Sequence, residues 1–525
     1  MSTSAWSALR RPDDAASVGL LLVSAAIATA VVSPLLWIFW QASQVGLDQA
    51  FSLTTMPQTL GIIPRSIALM VMVTVLSVCI GVPLAFLTGR TDLPFRRFWT
   101  IVAALPLVIP SYIGAFAFVS AFGPHGEFTE ILGVAAPTIA GFWGATLVIT
   151  LYTYPYVFLT TRAALLSMDA SHVDAARTLN ATRLEAFYRI TLPRIRPAIA
   201  AGALLVALYA LADFGTPAFM RLEVFTSAIY WEWTFGNVEY TALLAIQLLT
   251  VAAVVLAIEA RVGQEVEPGG ATNGARVALG RLRWVATVAL ALLAFITLVV
   301  PVVIFGIWLT RAGTPGSGVA FQPSFAVNSL YLAGGAALVA VLFAIPVAYY
   351  AARDGGILAR LFERATYVGF AVPGIVIGIA LVYFGSNFAP AIYPTVGLLI
   401  FAYVVRFLPQ AVGITRSAVL QVDDRYLEAA RTLNTTRFGT FRRVTLPLIV
   451  PGIVAGGGLV FLTTIKELPA TLMLQPAGLE TLVTVIWHAD RSLNYAQAAV
   501  PALILIVLSG LSMLIIIRQE RYHVT

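Results

Sequence analysis

Long apolar runs recur from one end of this chain to the other. The protein has 525 residues, of which 59% are hydrophobic and only 11% are charged, whereas soluble domains carry roughly 25% charged residues. An apolar run of about 20 residues spans a bilayer as a helix that satisfies its own backbone hydrogen bonds. We therefore predict an all-α polytopic membrane protein with twelve transmembrane helices. The predicted spans are 18–40, 64–88, 98–121, 138–160, 195–217 and 240–260, followed by 284–309, 327–351, 365–386, 391–411, 449–473 and 497–517.

A polar motif between the spans occurs twice. Residues 175–193 and 429–447 are identical at 13 of 19 positions, with a constant offset of 254 residues. Each copy lies between the fourth and fifth predicted spans of its half. The sequence therefore predicts two six-helix repeats, 1–260 and 284–525, joined by a turn-rich linker at 261–283. The motif segments are 169–193 and 423–447.

Arginine is distributed unevenly along the chain. Of the 32 Lys and Arg residues, 26 fall in the termini and loops on one side of the predicted spans, and four fall in the loops on the other side. Because cytoplasmic loops carry an excess of Lys and Arg, both termini and both motif copies are predicted in the cytoplasm. The linker is then cytoplasmic too, so the halves are parallel repeats. The same distribution accounts for the basic pI of about 9.6 without nucleic acid.

Each motif copy contains signals for two short helices separated by a bend. Asp169 and Asp423 stand where the first helices should start, and each can cap free backbone N–H groups. The second helix of the first copy begins with a capping box, in which Thr182 and Glu185 exchange hydrogen bonds. The second copy lacks the glutamate of this box.

The repetition of the motif limits what it can do. One alternative is an amphipathic loop that rests on the membrane surface, which accounts for its apolar positions and its arginines. That alternative does not explain why two such loops stay so similar while much of the remaining repeat has diverged. Two copies of one polar surface imply two copies of one partner, or one symmetric partner, so docking is the favoured interpretation.

The motif resembles the coupling motif of type I ABC importer permeases. That motif reads Glu-Ala-Ala, three residues, Gly, six residues, Phe, two residues, Ile, one residue and Leu-Pro. Both copies here have Asn in place of the Gly, which preserves the bend because asparagine tolerates the left-handed conformation. The first copy also has Asp in place of the Glu. Further matched positions are Phe187, Ile190, Leu192 and Pro193 in the first copy, and Phe441, Leu446 and Pro447 in the second, where Val444 replaces the Ile.

The resemblance implies a function for the motif. In the family it forms a coupling helix that enters a groove on an ATPase subunit, so two ATPase copies are expected to bind this chain. The residues that the resemblance assigns to ATPase coupling are Asp174, Ala175, Ala176, Arg177, Asn180, Glu428, Ala429, Ala430, Arg431 and Asn434.

The resemblance also implies an extracytoplasmic substrate-binding protein and a location in the plasma (inner) membrane of a prokaryote, in contact with lipid. Aromatic and acidic residues of the outer segment 221–240 suit a docking face for that protein, or an interfacial aromatic belt. The chain is not expected to be an enzyme by itself. Its only lysine, Lys466, lies between Ile465 and Glu467, so no Gly-Lys-Ser/Thr phosphate-binding loop exists. ATP and Mg are expected on the partner ATPase subunits, with no cofactor on this chain.

Within that family, the chain is most similar to fused permeases of ferric iron importers. The segments that carry this similarity are Asp213-Phe214-Gly215-Thr216-Pro217 and Lys466-Glu467-Leu468-Pro469-Ala470-Thr471. Related permeases handle thiamine, phosphonate, sulfate, molybdate or polyamines, and these substrates remain alternatives. A secondary transporter, which also often has twelve spans, would give no reason for a repeated cytoplasmic motif.

Two acidic residues lie inside predicted spans at symmetric positions. Asp213 and Glu467 are separated by the same 254 residues as the motif copies. Intramembrane carboxylates usually face a partner or an aqueous path, and oxygen ligands suit a ferric ion. The two acids are therefore candidate transient metal ligands in a substrate pathway that includes Lys466 and Arg406. The alternative is structural, with Glu467 paired to Lys466 or to Arg406.

Overall fold

The structure, a computed structural model, describes residues 15–124, 126–134, 136–168, 182–262, 277–311, 321–353, 356–433, 435–492 and 494–522. Within these ranges the only β contact is an isolated bridge between Thr91 and Val277, and the predicted all-α class is confirmed.

The helices up to the linker are α1 (Ala15–Ser43), α2 (Leu47–Thr55), α3 (Pro57–Arg90), α4 (Arg96–Ala104), α5 (Ser111–Ala121), α6 (Glu127–Leu132), α7 (Gly141–Ser167), α8 (Arg183–Ala186), α9 (Leu192–Ala212), α10 (Gly215–Phe219), α11 (Phe225–Thr234) and α12 (Val238–Val262). A 3-10 turn (Leu105–Val108) follows α4, and a π-helical turn (Phe187–Thr191) joins α8 to α9.

The helices after the linker are α13 (Leu282–Ala294), α14 (Val300–Arg311), α15 (Pro323–Arg353), α16 (Ile357–Ala371), α17 (Gly374–Phe388), α18 (Val396–Leu420), α19 (Asp424–Thr432), α20 (Arg437–Thr440), α21 (Leu446–Thr464), α22 (Pro469–Leu474), α23 (Leu482–Arg491) and α24 (Tyr495–Tyr522). Further π-helical turns join α13 to α14 (Phe295–Val299) and α20 to α21 (Phe441–Thr445).

The described helices support a multi-pass membrane protein. Nine of them, some continued through a π-helical turn, are long and apolar enough to cross a membrane, and two bent helix pairs raise the number to 11 if each pair is one span. The twelfth predicted span, 497–517, falls in α24, where the apolar stretch found is the shorter Tyr495–Leu511.

Two predicted spans, 98–121 and 365–386, are bent. The segment that contains α4 meets α5 at 88°, and α16 meets α17 at 98°. Pro110 and Pro373 stand immediately before the second helix of each pair, with ψ of 135° and 140°. A proline disfavours the helical conformation in the residue before it, so each helix ends there and a new one starts in another direction.

Packing groups the helices differently from their order along the chain. Unit 1 comprises Met1–Trp40, Ala326–Thr481 and Ile516–Thr525, and unit 2 comprises Gln41–Phe325 and Leu482–Ile515. The packing core of unit 1 thus combines most of α1 with helices that follow the linker, and unit 2 includes α13 and α14. The predicted repeat boundaries, 1–260 and 284–525, stay a prediction.

Glycines allow the central helices of each unit to approach closely. In unit 2, α7 packs against α3 at Gly81 and against α9 at Gly202, where an added Cβ would lie 2.9 Å and 2.7 Å from α7 backbone atoms. In unit 1, a Cβ added at Gly456 of α21 would lie 3.1 Å from the Cα of Ala411 in α18. Gly202 and Gly456 are 254 residues apart, so the repeat includes this contact. Small residues at helix interfaces permit tight packing where the hydrophobic effect between spans is absent.

Replacing Gly202 by alanine is expected to lower the melting temperature of the purified chain. The new Cβ would lie 2.7 Å from the Cα of Val157, a backbone atom that cannot move alone, and such overpacking costs about 1–3 kcal/mol. Thermal unfolding in detergent measures the effect. The matched control is Gly458→Ala in α21, where no other group lies within 4 Å and alanine favours a helix by about 1 kcal/mol over glycine. A melting temperature that is unchanged or raised in Gly202→Ala would contradict the packing argument.

Candidate functional site

The second copy of the motif forms a short helix directly after the end of α18. Asp423 stands before α19, and its Oδ1 accepts the backbone N–H of Arg425 at 2.9 Å. The helix therefore starts where the capping signal predicted, with Asp424 adding a second negative charge in the first turn, where the helix dipole favours it.

The two faces of α19 have different environments. Leu427 and Ala430 are buried, and Leu427 joins an apolar cluster with residues of α18 and α21. Glu428 and Ala429 are exposed on the other face. The spacing of Leu427, Ala430 and Leu433 predicts one buried stripe, but Leu433 does not belong to it: the helix has ended by this position and the side chain is 78% exposed.

Arg353, the last residue of α15, connects α19 to the rest of unit 1. Its Nη1 lies 2.6 Å from the carboxylate of Asp424. Its Nη2 donates to the backbone carbonyl oxygens of Val419 and Val422, both at 3.3 Å. One guanidinium therefore holds both the end of α18 and the start of α19, where the helix dipoles favour a cation and an anion respectively.

Arg90, the last residue of α3, makes the equivalent contacts in unit 2. Its guanidinium donates to the carbonyl oxygen of Leu165 and, at 2.8 Å, to that of Met168. The two arginines are 263 residues apart. The residues whose carbonyl oxygens they bind are 254 apart, since Leu165 corresponds to Val419 and Met168 to Val422. Sequence reasoning counted both arginines only as cytoplasmic charges. The correspondence of Arg90 with Arg353 does not appear at the offset of the motif, because the first half has nine more residues between its second span and its motif.

An aromatic pair packs each motif copy against the second span of its half. The ring of Phe187 lies edge-on to that of Phe86 at 5.5 Å, and the ring of Phe441 lies edge-on to that of Tyr349 at 5.2 Å. Each phenylalanine begins the π-helical turn that continues into the next span. The predicted second helix is thus a short extension of that span. Such π-helical turns are frequent at functional sites.

The capping box of the first copy is confirmed. The backbone N–H of Thr182 donates to Glu185 at 2.9 Å, and the backbone N–H of Glu185 donates to the Thr182 hydroxyl at 3.2 Å. These bonds from Thr182 hold the pKa of the Glu185 carboxyl below its usual range. In the second copy only the N–H of Gly439 bonds to the Thr436 hydroxyl, at 3.1 Å.

Several residues assigned to coupling lie outside the described part of the chain. They are residues 174–180 of the first copy, Asn434, and the side chain of Arg431. Asp169 of the predicted cap lies there too.

Asp213 lies in a break between α9 and α10 in unit 2. The predicted span 195–217 is thus wrong in its end, since α9 stops at Ala212. The Ser111 hydroxyl donates to Asp213 Oδ2 at 2.8 Å and lies 3.0 Å from the hydroxyl of Tyr209. The backbone N–H of Thr216 donates to Oδ1 at 3.4 Å.

Glu467 lies in the corresponding break between α21 and α22 in unit 1, which interrupts the predicted span 449–473. It is 6% exposed. Its Oε1 accepts the backbone N–H of Ala470 at 3.3 Å and lies 3.4 Å from Nη1 of Arg406. Lys466, the other expected pathway residue here, is half-buried. The structure thus brings Glu467 and Arg406 together.

The two acids share one role and differ in their neighbours. Each accepts the N–H of the residue three positions later, so each caps the short helix that follows its break. Ser111 directly follows the bend proline, and Gly374 is the residue at that position in the second half. A Cβ at Gly374 would overlap Arg406 Nη1 and Glu467 Oε1. The missing side chain therefore makes room for the guanidinium. Across the described residues, no group of three or more His, Cys, Asp or Glu could hold a metal ion.

Comparison with known families decides the class of this protein. A family described as "Binding-protein-dependent transport system inner membrane component" matches residues 77–267 and 340–523. Together these ranges cover well over half of the chain, and each contains one motif copy. The chain belongs to this family. Membership in this family of transport-system components confirms the resemblance to importer permeases and favours it over a secondary transporter.

Relatives within the family include two that are similar over nearly the whole chain. An Fe(3+)-transport system permease protein of Haemophilus influenzae is 30% identical over 494 residues, which cover 91% of this chain and 94% of the relative. A ferric transport system permease protein of Actinobacillus pleuropneumoniae is 24% identical over 518 residues, 93% of this chain and 75% of the relative. A sulfate transport system permease protein of Salmonella typhimurium is 25% identical over 188 residues, 36% of this chain and 68% of the relative.

Proposed function

We propose that this chain is the translocation subunit of an ATP-driven importer for ferric iron. One observation supports ferric iron as the substrate: the similarity to the Fe(3+)-transport permease of Haemophilus influenzae, which extends over 91% of this chain and 94% of that protein. Sulfate is the second candidate, supported by a relative that matches 36% of the chain. An extracytoplasmic binding protein delivers the substrate, as the family description implies.

Two copies of an ATPase subunit dock on the chain, one at each motif copy, and bind ATP and Mg. Both motif copies and both termini lie in the cytoplasm under this proposal. The exposed side chains of Glu428 and Ala429 support docking at the second copy, since they leave one face of α19 accessible. Tyr426 and Leu433, which are exposed apolar side chains at the same site, supply further contact area.

Movement of a docked ATPase reaches the spans through two contacts. Arg353 joins α19 to α15 and α18, and the Phe441–Tyr349 pair joins the motif to α15. A displacement of α19 is therefore transmitted to α15 and α18 of unit 1. Arg90 and the Phe187–Phe86 pair provide the corresponding connections in unit 2.

The substrate pathway passes the two span breaks, where a ferric ion contacts Asp213 and Glu467 transiently, with Lys466 and Arg406 nearby. Non-helical backbone at membrane depth is tolerated where it is buried in protein or lines an aqueous cavity, and both acids lie in such breaks. A ferric ion that reaches Glu467 has to displace Arg406 from it.

Uptake of radiolabelled metal tests the proposed function. The chain, its ATPase and its binding protein are expressed in a strain that lacks its own ferric importers. We expect accumulation of labelled ferric iron at least about ten times that of the same strain carrying the ATPase and binding protein alone. Labelled sulfate and molybdate are measured in parallel. Uptake of either oxyanion without uptake of iron would overturn the substrate assignment and leave the importer assignment in place.

A further inference from the structure

We propose that the oxygens of Tyr209, Ser111 and Asp213 form a binding site for the ferric ion, and that the equivalent position in the second half does not. The proposal rests on the proposed function in that ferric iron is the cargo. It places the binding site at one of the two span breaks, leaves only a transient contact at the other, and adds two ligands to Asp213.

The three side chains form a continuous chain of oxygen atoms at the break after α9. Ser111 Oγ lies 2.8 Å from Asp213 Oδ2 and 3.0 Å from Tyr209 Oη. An octahedral hard cation with metal–oxygen bonds of about 2.0 Å holds neighbouring ligand oxygens about 2.8 Å apart. The Ser111 oxygen thus already lies from each of the other two oxygens at the distance that separates neighbouring ligands on such an ion.

The chemistry of the three groups suits a hard trivalent cation. A carboxylate, a phenol and an alcohol supply only oxygen atoms, and hard ions prefer such ligands. When the ion binds, the Tyr209 hydroxyl proton passes to water as the oxygen bonds to iron, the Ser111 hydroxyl keeps its proton, and iron stays ferric. Three coordination positions remain for water, so the ion is held less firmly than in a site built from protein ligands alone. Transport requires such weaker binding, because the ion has to leave the site again.

The charge around Asp213 favours a cation. Among the residues that the structure describes, none forms an ion pair with this carboxylate. Asp213 and Tyr209 are half-buried, whereas Ser111 is buried. The loop is fixed by a hydrogen bond of 2.8 Å from the Thr226 hydroxyl to the Asp213 carbonyl oxygen. The site is therefore partly accessible and positioned before the ion arrives.

The second half provides an internal comparison, because the same position lacks these features. Thr463 stands 254 residues after Tyr209, and its hydroxyl donates to Gln410 at 3.1 Å. Gly374 takes the place of Ser111 and brings no side-chain oxygen. The guanidinium of Arg406 lies 3.4 Å from the remaining carboxylate of Glu467 and neutralises it. Duplication of the fold has thus left one break with three oxygen ligands and the other with an ion pair.

Absorption spectroscopy of the full chain in lipid nanodiscs tests this assignment. A tyrosinate bound to ferric iron gives a visible charge-transfer band, so ferric nitrilotriacetate is titrated into the wild type and into Tyr209→Phe. We expect a saturable band in the wild type, its loss in Tyr209→Phe, and at least about a tenfold weaker affinity in Asp213→Asn. Ser111→Ala should weaken binding less. The matched control is Tyr152→Phe, which removes a hydroxyl in the same unit that donates to the Thr297 carbonyl oxygen and should leave the band unchanged.

Two results would overturn the site. One is a wild type without the band, and the other is a band of equal size in Tyr209→Phe. Melting temperatures of the variants show whether each is folded, and loss of the band in a folded Tyr209→Phe supports the site. The uptake assay is independent of this test: iron uptake with no band removes the site and keeps the function, whereas oxyanion uptake without iron uptake removes both.

Discussion

Replacing Arg353 by alanine should reduce substrate uptake at least about tenfold while the chain remains inserted and abundant in the membrane. The substitution removes two hydrogen bonds to the carbonyl oxygens of Val419 and Val422 and the contact with Asp424. Asp424 is 76% exposed, so its ion pair contributes little. The two bonds from a charged donor, long at 3.3 Å, contribute about 1.5 kcal/mol each. The local stability of the junction between α18 and α19 should then fall by about 3 kcal/mol, which corresponds to about 100-fold more frequent opening of that junction.

Hydrogen exchange and coupled assays measure the two parts of this prediction. Amides at the junction between α18 and α19 should exchange about 100-fold faster in Arg353→Ala, and ATP hydrolysis by the reconstituted complex should no longer depend on substrate delivery. Arg360→Ala is the matched control, since Arg360 is an exposed arginine of α16 on the same predicted side of the membrane. Its uptake should stay within about twofold of wild type. Normal coupled uptake by Arg353→Ala would show that the contact does not transmit force.

Replacing Arg406 by methionine should destabilise unit 1 by about 3–5 kcal/mol, because breaking a buried ion pair leaves an uncompensated charge. Glu467 would remain in a site where only 7% of its side chain is exposed. The double variant Arg406→Met with Glu467→Gln should regain most of this stability, since it removes both charges. Thermal unfolding of the purified variants gives the double-mutant cycle.

An ion pair of similar length but greater exposure provides the control. Arg65 and Glu223 lie 3.2 Å apart with side chains 43% and 36% exposed, so Arg65→Met should cost no more than about 1 kcal/mol. Similar losses for Arg65→Met and Arg406→Met would contradict the burial argument. Uptake by the stable double variant then separates the two roles of Arg406 and Glu467: normal uptake indicates a structural pair, and lost uptake in a folded protein indicates a pathway.

The two motif copies are not equivalent in the described residues. The first has a reciprocal capping box at Thr182 and Glu185, and the second has only the bond between Gly439 and the Thr436 hydroxyl. Phe438, at the start of the second extension, is 71% exposed. The second copy therefore lacks the reciprocal bond of the box and exposes a large apolar side chain beside it. We expect the ATPase to supply part of the stabilisation there.

The sequence predicted the helical class, the repeated motif and the start of α19. These features depend on contiguous residues: apolar runs long enough to span a bilayer, identity at a fixed offset, and a capping aspartate beside the helix it starts. The bends before Pro110 and Pro373 and the breaks at Asp213 and Glu467 were missed. Averaged over a span, hydropathy stays high across all four positions despite the charges at Asp213 and Glu467, and it reports composition rather than direction.

Only the tertiary structure decided which residues act together. Ser111 and Asp213 are 102 residues apart, and Arg353 and Val419 are 66 apart. No local pattern links such partners, because their contact depends on how helices pack and where they end. The motif, the two acids and the excess of arginine on one side were visible in the sequence alone. The arginines that anchor the motif, and the difference between an acid paired with Arg406 and an acid bonded to Ser111, required the packed helices.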